Sequence, residues 1–275
     1  MAETDALPYD ASTHMGDLEL ELDRLKTQAI MGWEKEARNL GWFGLRDGMS
    51  VLEVGSGPGF ITGQLLEMLP SSRLTCVDLD PVLLERAKSY LGDNASRVDF
   101  VEASILDTGL PDNSFDFAYA RLVFQHLPDR VGAAREILRV LKPGGKLVIM
   151  DVDDDLNMLF DPPDPPEVRA INERSAEEHR AKGGDRKVGR KLWRIMTEAG
   201  FQDLDLELVI IDSDSLGLDM FIEQFTLETL QVEVDAGLLT QQEAELLWNT
   251  HTAFLNAEYP YIALVAFMAC GAKPL

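Results

Sequence analysis

Glu53, Gly55, Gly57 and Gly59 stand at alternate positions where a short apolar run, Val51 to Val54, breaks into a turn. Glycines in a strand-to-helix turn let a ligand lie on the backbone itself, against the free N–H groups of the following helix. Nineteen residues past Gly59, Asp78 ends a second apolar run, Leu74 to Val77. A carboxylate at the tip of the second strand of a βαβ unit can accept hydrogen bonds from both hydroxyls of a ribose. His126 and Asp151 follow later apolar runs, and each is a candidate general base. Imidazole is the side chain that titrates nearest neutrality. Asp151 and the nearby Asp153 could instead bind a substrate amine or a magnesium ion. The other ligands of a magnesium site are not identifiable, so no metal is assigned.

Such residues need elements to hold them. The runs at 51–54, 74–77, 98–101, 118–120 and 146–150 read as buried strands, with helical patterns between them. Asp80-Pro81 supplies an N-cap and a first-turn proline for one of these helices. Alternating strands and helices imply an α/β fold with a doubly wound parallel sheet. Residues 1–16 look loose, and Asp17 to Leu40 carries Leu18, Leu22, Leu25 and Ala29 at helical spacing. After the prolines at 162–166 come a polar helix at 167–182 and a second at 187–199, with Gly200 as its C′ residue. Leu204, Leu206, Leu208 and Ile210 alternate with Asp205, Glu207 and Val209, the pattern of a half-buried strand. Residues 213–258 look helical throughout, and Tyr261 to Cys270 is a final strand.

The pattern E-x-G-x-G-x-G at 53–59 resembles motif I of the class I S-adenosylmethionine-dependent methyltransferases. A dinucleotide fingerprint, G-x-G-x-x-G, would need glycine where Phe60 stands. The later motifs are similar to the same family in the same order: Asp78-Leu79, Glu102 to Ile105, Leu110 to Asp116, Phe124 to Pro128, and Leu141-Lys142-Pro143-Gly144-Gly145. The resemblance implies a Rossmann-like, seven-stranded sheet whose last strand is antiparallel. It also implies an N-terminal lid helix and a helical cap inserted before that strand. The expected division is a tail and lid at 1–44, the cofactor-binding core at 45–212, the cap at 213–258 and the last core strand at 259–275.

By that resemblance S-adenosyl-L-methionine lies on Gly55, Ser56, Gly57 and Gly59, with Asp78 on its ribose and Leu79 against its adenine. Ser104 stands where the family usually has an acid for the adenine amino group, and Ile105 offers its amide to the ring. Glu53 and the Arg121 carbonyl face the methionyl ammonium. Glu21 to Ala29 is similar to E-x-x-R-L-x-x-Q-A of one bacterial branch, which brings Gln28 to the same end. The implied reaction is in-line transfer of methyl to an oxygen, nitrogen or carbon nucleophile of a small molecule, leaving S-adenosyl-L-homocysteine. Positioning can supply on the order of 7–11 kcal/mol of such a barrier, and a base is needed only where the nucleophile carries a proton. Trp33, Trp42, Met31 and Phe124 are candidates for the acceptor pocket or for core. Two alternatives stay open: a cofactor-binding regulatory or partner protein without transfer activity, and a nicotinamide-dependent oxidoreductase.

Among 275 residues, 48 acids against 25 bases give a formal charge of −23. Phosphate binding needs clustered Lys and Arg, so nucleic acid is not expected as a partner, nor is an acidic membrane surface. No apolar run approaches the roughly 20 residues that span a bilayer, and the acidic, polar start shows no signal peptide, so a cytoplasmic protein is expected. Homo-oligomer formation stays open. Cys76 and Cys270 fall in strands that the family's sheet order keeps apart, too far for a disulfide.

Overall fold

Alternation along the first strand sorts its side chains between two layers. In β1 (Ser50–Val54), Val51 joins a buried cluster on one face of the sheet, while Leu52 and Val54 join the cluster on the other. Period two thus covers both faces of a central strand with aliphatic carbon. The computed structural model describes residues 18–156, 159–222 and 226–275; the stretch 1–16, Asp17 and Phe225 lie outside it.

β1 pairs in parallel with β2 (Arg73–Asp78) and β4 (Phe115–Arg121), β2 with β3 (Val98–Glu102), and β4 with β5 (Leu141–Val152). The last strand, β8 (Tyr261–Ala272), runs antiparallel to β5 and to β7 (Gln202–Asp212), and lies between them. A short β6 (Leu159–Asp161) continues the β5 edge, pairing with residues 261–263 of β8. It adds a strand in sequence without widening the sheet. Cys76 on β2 and Cys270 on β8 are buried free thiols with β1, β4 and β5 between them.

The expected single helix from 17 to 40 is two, α1 (Leu18–Met31) and α2 (Trp33–Phe43). The break falls at Gly32, where a Cβ would meet Glu36 Oε1 at 2.6 Å and Ile211 Cδ1 at 2.7 Å. α3 (Phe60–Met68) follows the glycine turn, and α4 (Pro81–Leu91) starts under the Asp80 cap, whose carboxylate accepts from Val82 N and Leu83 N. α5 (Arg130–Val140) and α7 (Leu192–Ala199) cover the opposite face. Gly200 ends α7 in the left-handed conformation.

β7 departs from the sequence pattern. Leu206, Leu208 and Ile210 are exposed, whereas Val209 and Ile211 are buried. The face that holds Val209 and Ile211 packs into the core cluster shared with α2 and with Phe221, so two buried residues outweigh the longer aliphatic row. Between β5 and β7, α6 (Pro166–Ala181) packs Ile171 against Leu239 and Ala244, and Arg174 pairs with Glu243. Those partners belong to the run of helices between β7 and β8: α8 (Ser213–Leu216), α9 (Asp219–Ile222), α10 (Leu227–Asp235) and α11 (Gln241–Leu255). α11 begins with a full capping box between Thr240 and Glu243.

Candidate functional site

The three glycines of the turn have different jobs. A Cβ on Gly55 would lie 2.3 Å from Val123 Cγ2, and one on Gly59 would lie 2.8 Å from the Ala87 Cβ, so neighbours within the fold forbid a side chain at both. At Gly57 a Cβ would meet nothing within 4 Å among the described residues, and φ is +53°. The fold therefore leaves open space above Gly57, at the carboxyl edge of β1, where ligands of open α/β sheets collect.

Asp78 faces the same space. Its Oδ2 accepts from Gly57 N at 2.7 Å and its Oδ1 from Asp80 N at 3.0 Å. A carboxylate oxygen has two lone pairs, so each keeps one for a ligand hydroxyl. Burial raises the Asp78 pKa, against the lowering effect of those two amides. Leu79 beside it is 47% exposed, an apolar side chain presented at the strand tip. Ser104 is half-buried with Oγ accepting from Leu106 N at 3.2 Å, so its hydroxyl can still donate, and Ile105 is buried.

Below the turn, Glu53 is 3% exposed and accepts from Thr62 Oγ1 at 2.7 Å. Burial pushes its carboxyl up to about 7, with the Thr62 bond acting the other way. Ser56 is buried too, its hydroxyl beside the Cys76 thiol. α1 crosses above: Leu22 packs with Leu83 at the start of α4 and Phe60 at the start of α3, on either side of the turn. Gln28 of α1 is half-buried, and its carbonyl accepts from Arg121 Nη2 at 2.9 Å. The Arg121 side chain takes a carboxylate, Glu36, at 2.9 Å through both Nε and Nη2. The Tyr119 hydroxyl donates to the same carboxylate at 2.9 Å. Glu36 and Tyr119 were not legible as site residues, although a phenol inside a buried strand calls for a polar partner.

The two acid candidates at the end of β5 are both engaged within the fold. Asp151 is 0% exposed, with Oδ2 accepting from Gln125 N at 3.0 Å and Oδ1 from Val152 N at 2.9 Å. It braces the loop after β4 through the Gln125 amide. Asp153, also 0% exposed, is bound by Arg190, which reaches Asp155 as well. Lys187 and Arg186 hold Asp155 and Asp154, so the acidic triplet is clasped by the basic segment at 186–190. His126 ends the 3-10 turn Phe124–His126, its ring edge-on to His179 with centroids 5.2 Å apart. Phe124 is fully buried core, Met31 is core, and Trp42 is 73% exposed. No cluster of His, Cys, Asp and Glu suited to a metal occurs among the described residues.

Burial pushes the Asp151 carboxyl up to about 7. A folded-state pKa raised above the unfolded one adds stability at low pH and withdraws it as pH rises through the folded value. Asp151 alone should remove about 2 kcal/mol of unfolding free energy between roughly pH 5 and 7, at about 1.4 kcal/mol per unit. Urea denaturation at both values checks this. Asp151→Asn, which cannot titrate, should show a shallower fall; an identical fall would mean that Asp151 is ionised throughout.

Residues 52–149 match the family described as methyltransferase domain. A ubiquinone/menaquinone biosynthesis C-methyltransferase of Hahella chejuensis is 31% identical over 117 residues, 42% of this chain and 47% of that protein. A sterol 24-C-methyltransferase of Aspergillus fumigatus is 38% identical over 106 residues, 37% of this chain and 27% of that protein. The chain thus spans less than half the length of these curated relatives. Among solved structures, phosphoethanolamine N-methyltransferase 2 of Haemonchus contortus in complex with S-adenosyl-L-methionine superposes with a TM-score of 0.55 at 22% identity. That match covers 89% of this chain and 53% of that one, and at such identity it establishes the fold.

Proposed function

We propose, from the premise that residues 52–149 are a class I S-adenosylmethionine-dependent methyltransferase domain, that this chain methylates a small molecule. The observation that carries the reading is the open space over Gly57 beside an Asp78 carboxylate held by two backbone amides. When bound, S-adenosylmethionine supplies an electrophilic methyl group on a sulfonium. Asp78 would accept the ribose hydroxyls, Leu79 would lie against the adenine, and Ser104 and Ile105 would meet its edge. The backbone at Gly55, Ser56, Gly57 and Gly59 would bear the cofactor, and Glu53, Gln28 and the Arg121 carbonyl would surround its amino-acid end. Residues 1–44 would be tail and lid helix, 45–212 and 259–275 core and 213–258 cap.

The acceptor would enter where the chain leaves the carboxyl ends of β5 and β7. The half-buried side chains there include Trp33, Phe160, Leu218 and Met220, all apolar. The nearby carboxylates Glu36, Asp153 and Asp155 are occupied by Arg121, Arg190 and Lys187. This favours an acceptor recognised chiefly by apolar contact, in keeping with the quinone and sterol named for the two relatives. The −23 charge speaks against nucleic acid, and no helix among the described residues is long and apolar enough to cross a membrane. A cytoplasmic location fits the same composition.

Calorimetry with S-adenosylhomocysteine tests the cofactor site. Asp78→Ala should weaken binding by about 1.5–3 kcal/mol, the worth of hydrogen bonds to a charged group, or roughly 10- to 150-fold. Unchanged affinity would remove Asp78 from the ribose, and no binding by folded wild type would end the reading. If the acceptor carries a proton that must leave, His126→Ala should cut turnover by up to about 10²–10⁴-fold while sparing cofactor affinity. A normal rate at every pH would retire His126 as base.

A further inference from the structure

Arg121 joins three elements at the tip of β4. Its Nε and Nη2 grip the Glu36 carboxylate of α2, each at 2.9 Å, and Nη2 also donates to the Gln28 carbonyl of α1 at 2.9 Å. That carbonyl is among the last four of α1, which a helix leaves without partners of its own, and a cation there also meets the negative end of the helix dipole. α2 is fixed from below by Leu40, Phe43 and the wholly buried Glu36. α1 is tied differently. Ala29 and Met31 root its last turn in the core, while further along Leu22 rests on Leu83 and Phe60, and Glu19 meets Arg86 in an exposed pair. Between root and tip, the Gln28 carbonyl is a point at which the sheet edge holds the helix over the glycine turn.

We propose that Arg121 is a positioning residue that clasps α1 onto the sheet edge and thereby sets how slowly the cofactor leaves; the second clause rests on the functional reading above. Glu36 orients the guanidinium, because a bidentate carboxylate fixes the plane of the fork and so the direction of the remaining N–H. Tyr119 in turn holds Glu36. The clasp is charged, buried and formed by the side chain of the strand's last residue, so it acts on α1 without touching the reacting atoms.

Arg121→Lys separates clasp from charge. An ammonium keeps the ion pair with Glu36 but is a point charge on a different stem and cannot reproduce the fork that also reaches Gln28. Amide hydrogen exchange, measured without ligand, should quicken about tenfold or more across residues 18–31 in this variant, with the β1–β5 sheet unchanged. Release of S-adenosylhomocysteine, followed by stopped flow, should speed by a similar factor while its association rate changes less. A merely structural arginine would move global stability and leave this ratio alone. Unaltered exchange over 18–31 together with an unaltered release rate would overturn the proposal. Should Arg121→Lys not fold, wild type decides: bound S-adenosylhomocysteine must slow exchange over 18–31, and protection confined to the glycine turn refutes the clasp. Wild type that binds no S-adenosylhomocysteine defeats the methyltransferase reading alone, since the ligand-free exchange comparison still judges the clasp.

Discussion

Glu36→Ala should destabilise the protein by about 3–5 kcal/mol, the usual cost of removing one partner from a buried ion pair. The loss arises less from the missing attraction than from what stays behind. The Arg121 side chain is 10% exposed, and among the described residues its guanidinium would keep only the Gln28 carbonyl as acceptor. The Tyr119 hydroxyl, in a wholly buried residue, would keep only the weak contact to Met150 Sδ at 3.5 Å. Urea unfolding followed by circular dichroism measures the effect. A loss below about 1 kcal/mol would place the pair among solvent-screened surface bridges and would contradict the burial. Exposed pairs such as Arg73–Asp99, with side chains 65% and 62% accessible, should by contrast tolerate the loss of either partner with little change in the midpoint.

Gly57→Val should abolish cofactor binding, lowering affinity by at least about 100-fold, or roughly 2.7 kcal/mol, while the protein still folds. Among the described residues, no atom beyond the adjoining chain lies within 4 Å of the position a Cβ would take, so the side chain would project into the space assigned to the ligand. Some stability must also go, because a β-branched residue at φ +53° is strained. Gly109→Val is the matched control. It too has positive φ, +65°, and nothing within 4 Å of its Cβ position, yet it lies in the loop after β3 that leads to β4. Both variants should lose comparable stability, and binding should fail in the first alone. Calorimetric titration of the pair with S-adenosylhomocysteine gives the comparison. A Gly57→Val protein that binds normally would mean that the ligand does not lie on this turn.

Much of the site was legible along the chain because it depends on near neighbours. The strand-turn-helix at 51–69, the Asp80 cap, the Gly200 terminus and the acid at the tip of β2 each follow from residues within a turn or two of one another. Backbone geometry and capping chemistry act at that range, so periodicity and residue type suffice. Identities that act across the sheet were not legible. Nothing near Asp151 or Asp153 in sequence tells that one carboxylate would be wrapped in backbone amides and the other gripped by Arg190, 37 positions on. How much of a carboxylate stays open to a ligand depends on the donors that fold against it, which only packing decides. The same holds for β7, whose aliphatic row predicted the buried face until the neighbouring layer supplied a cover for Val209 and Ile211 instead. It holds most of all for Arg121, whose partners lie 85 and 93 positions away on two helices. The chain's local chemistry thus settled which residues can bear a cofactor. The long-range approach of charged groups, favourable only where water is excluded, decided which of its acids and bases stay available to act.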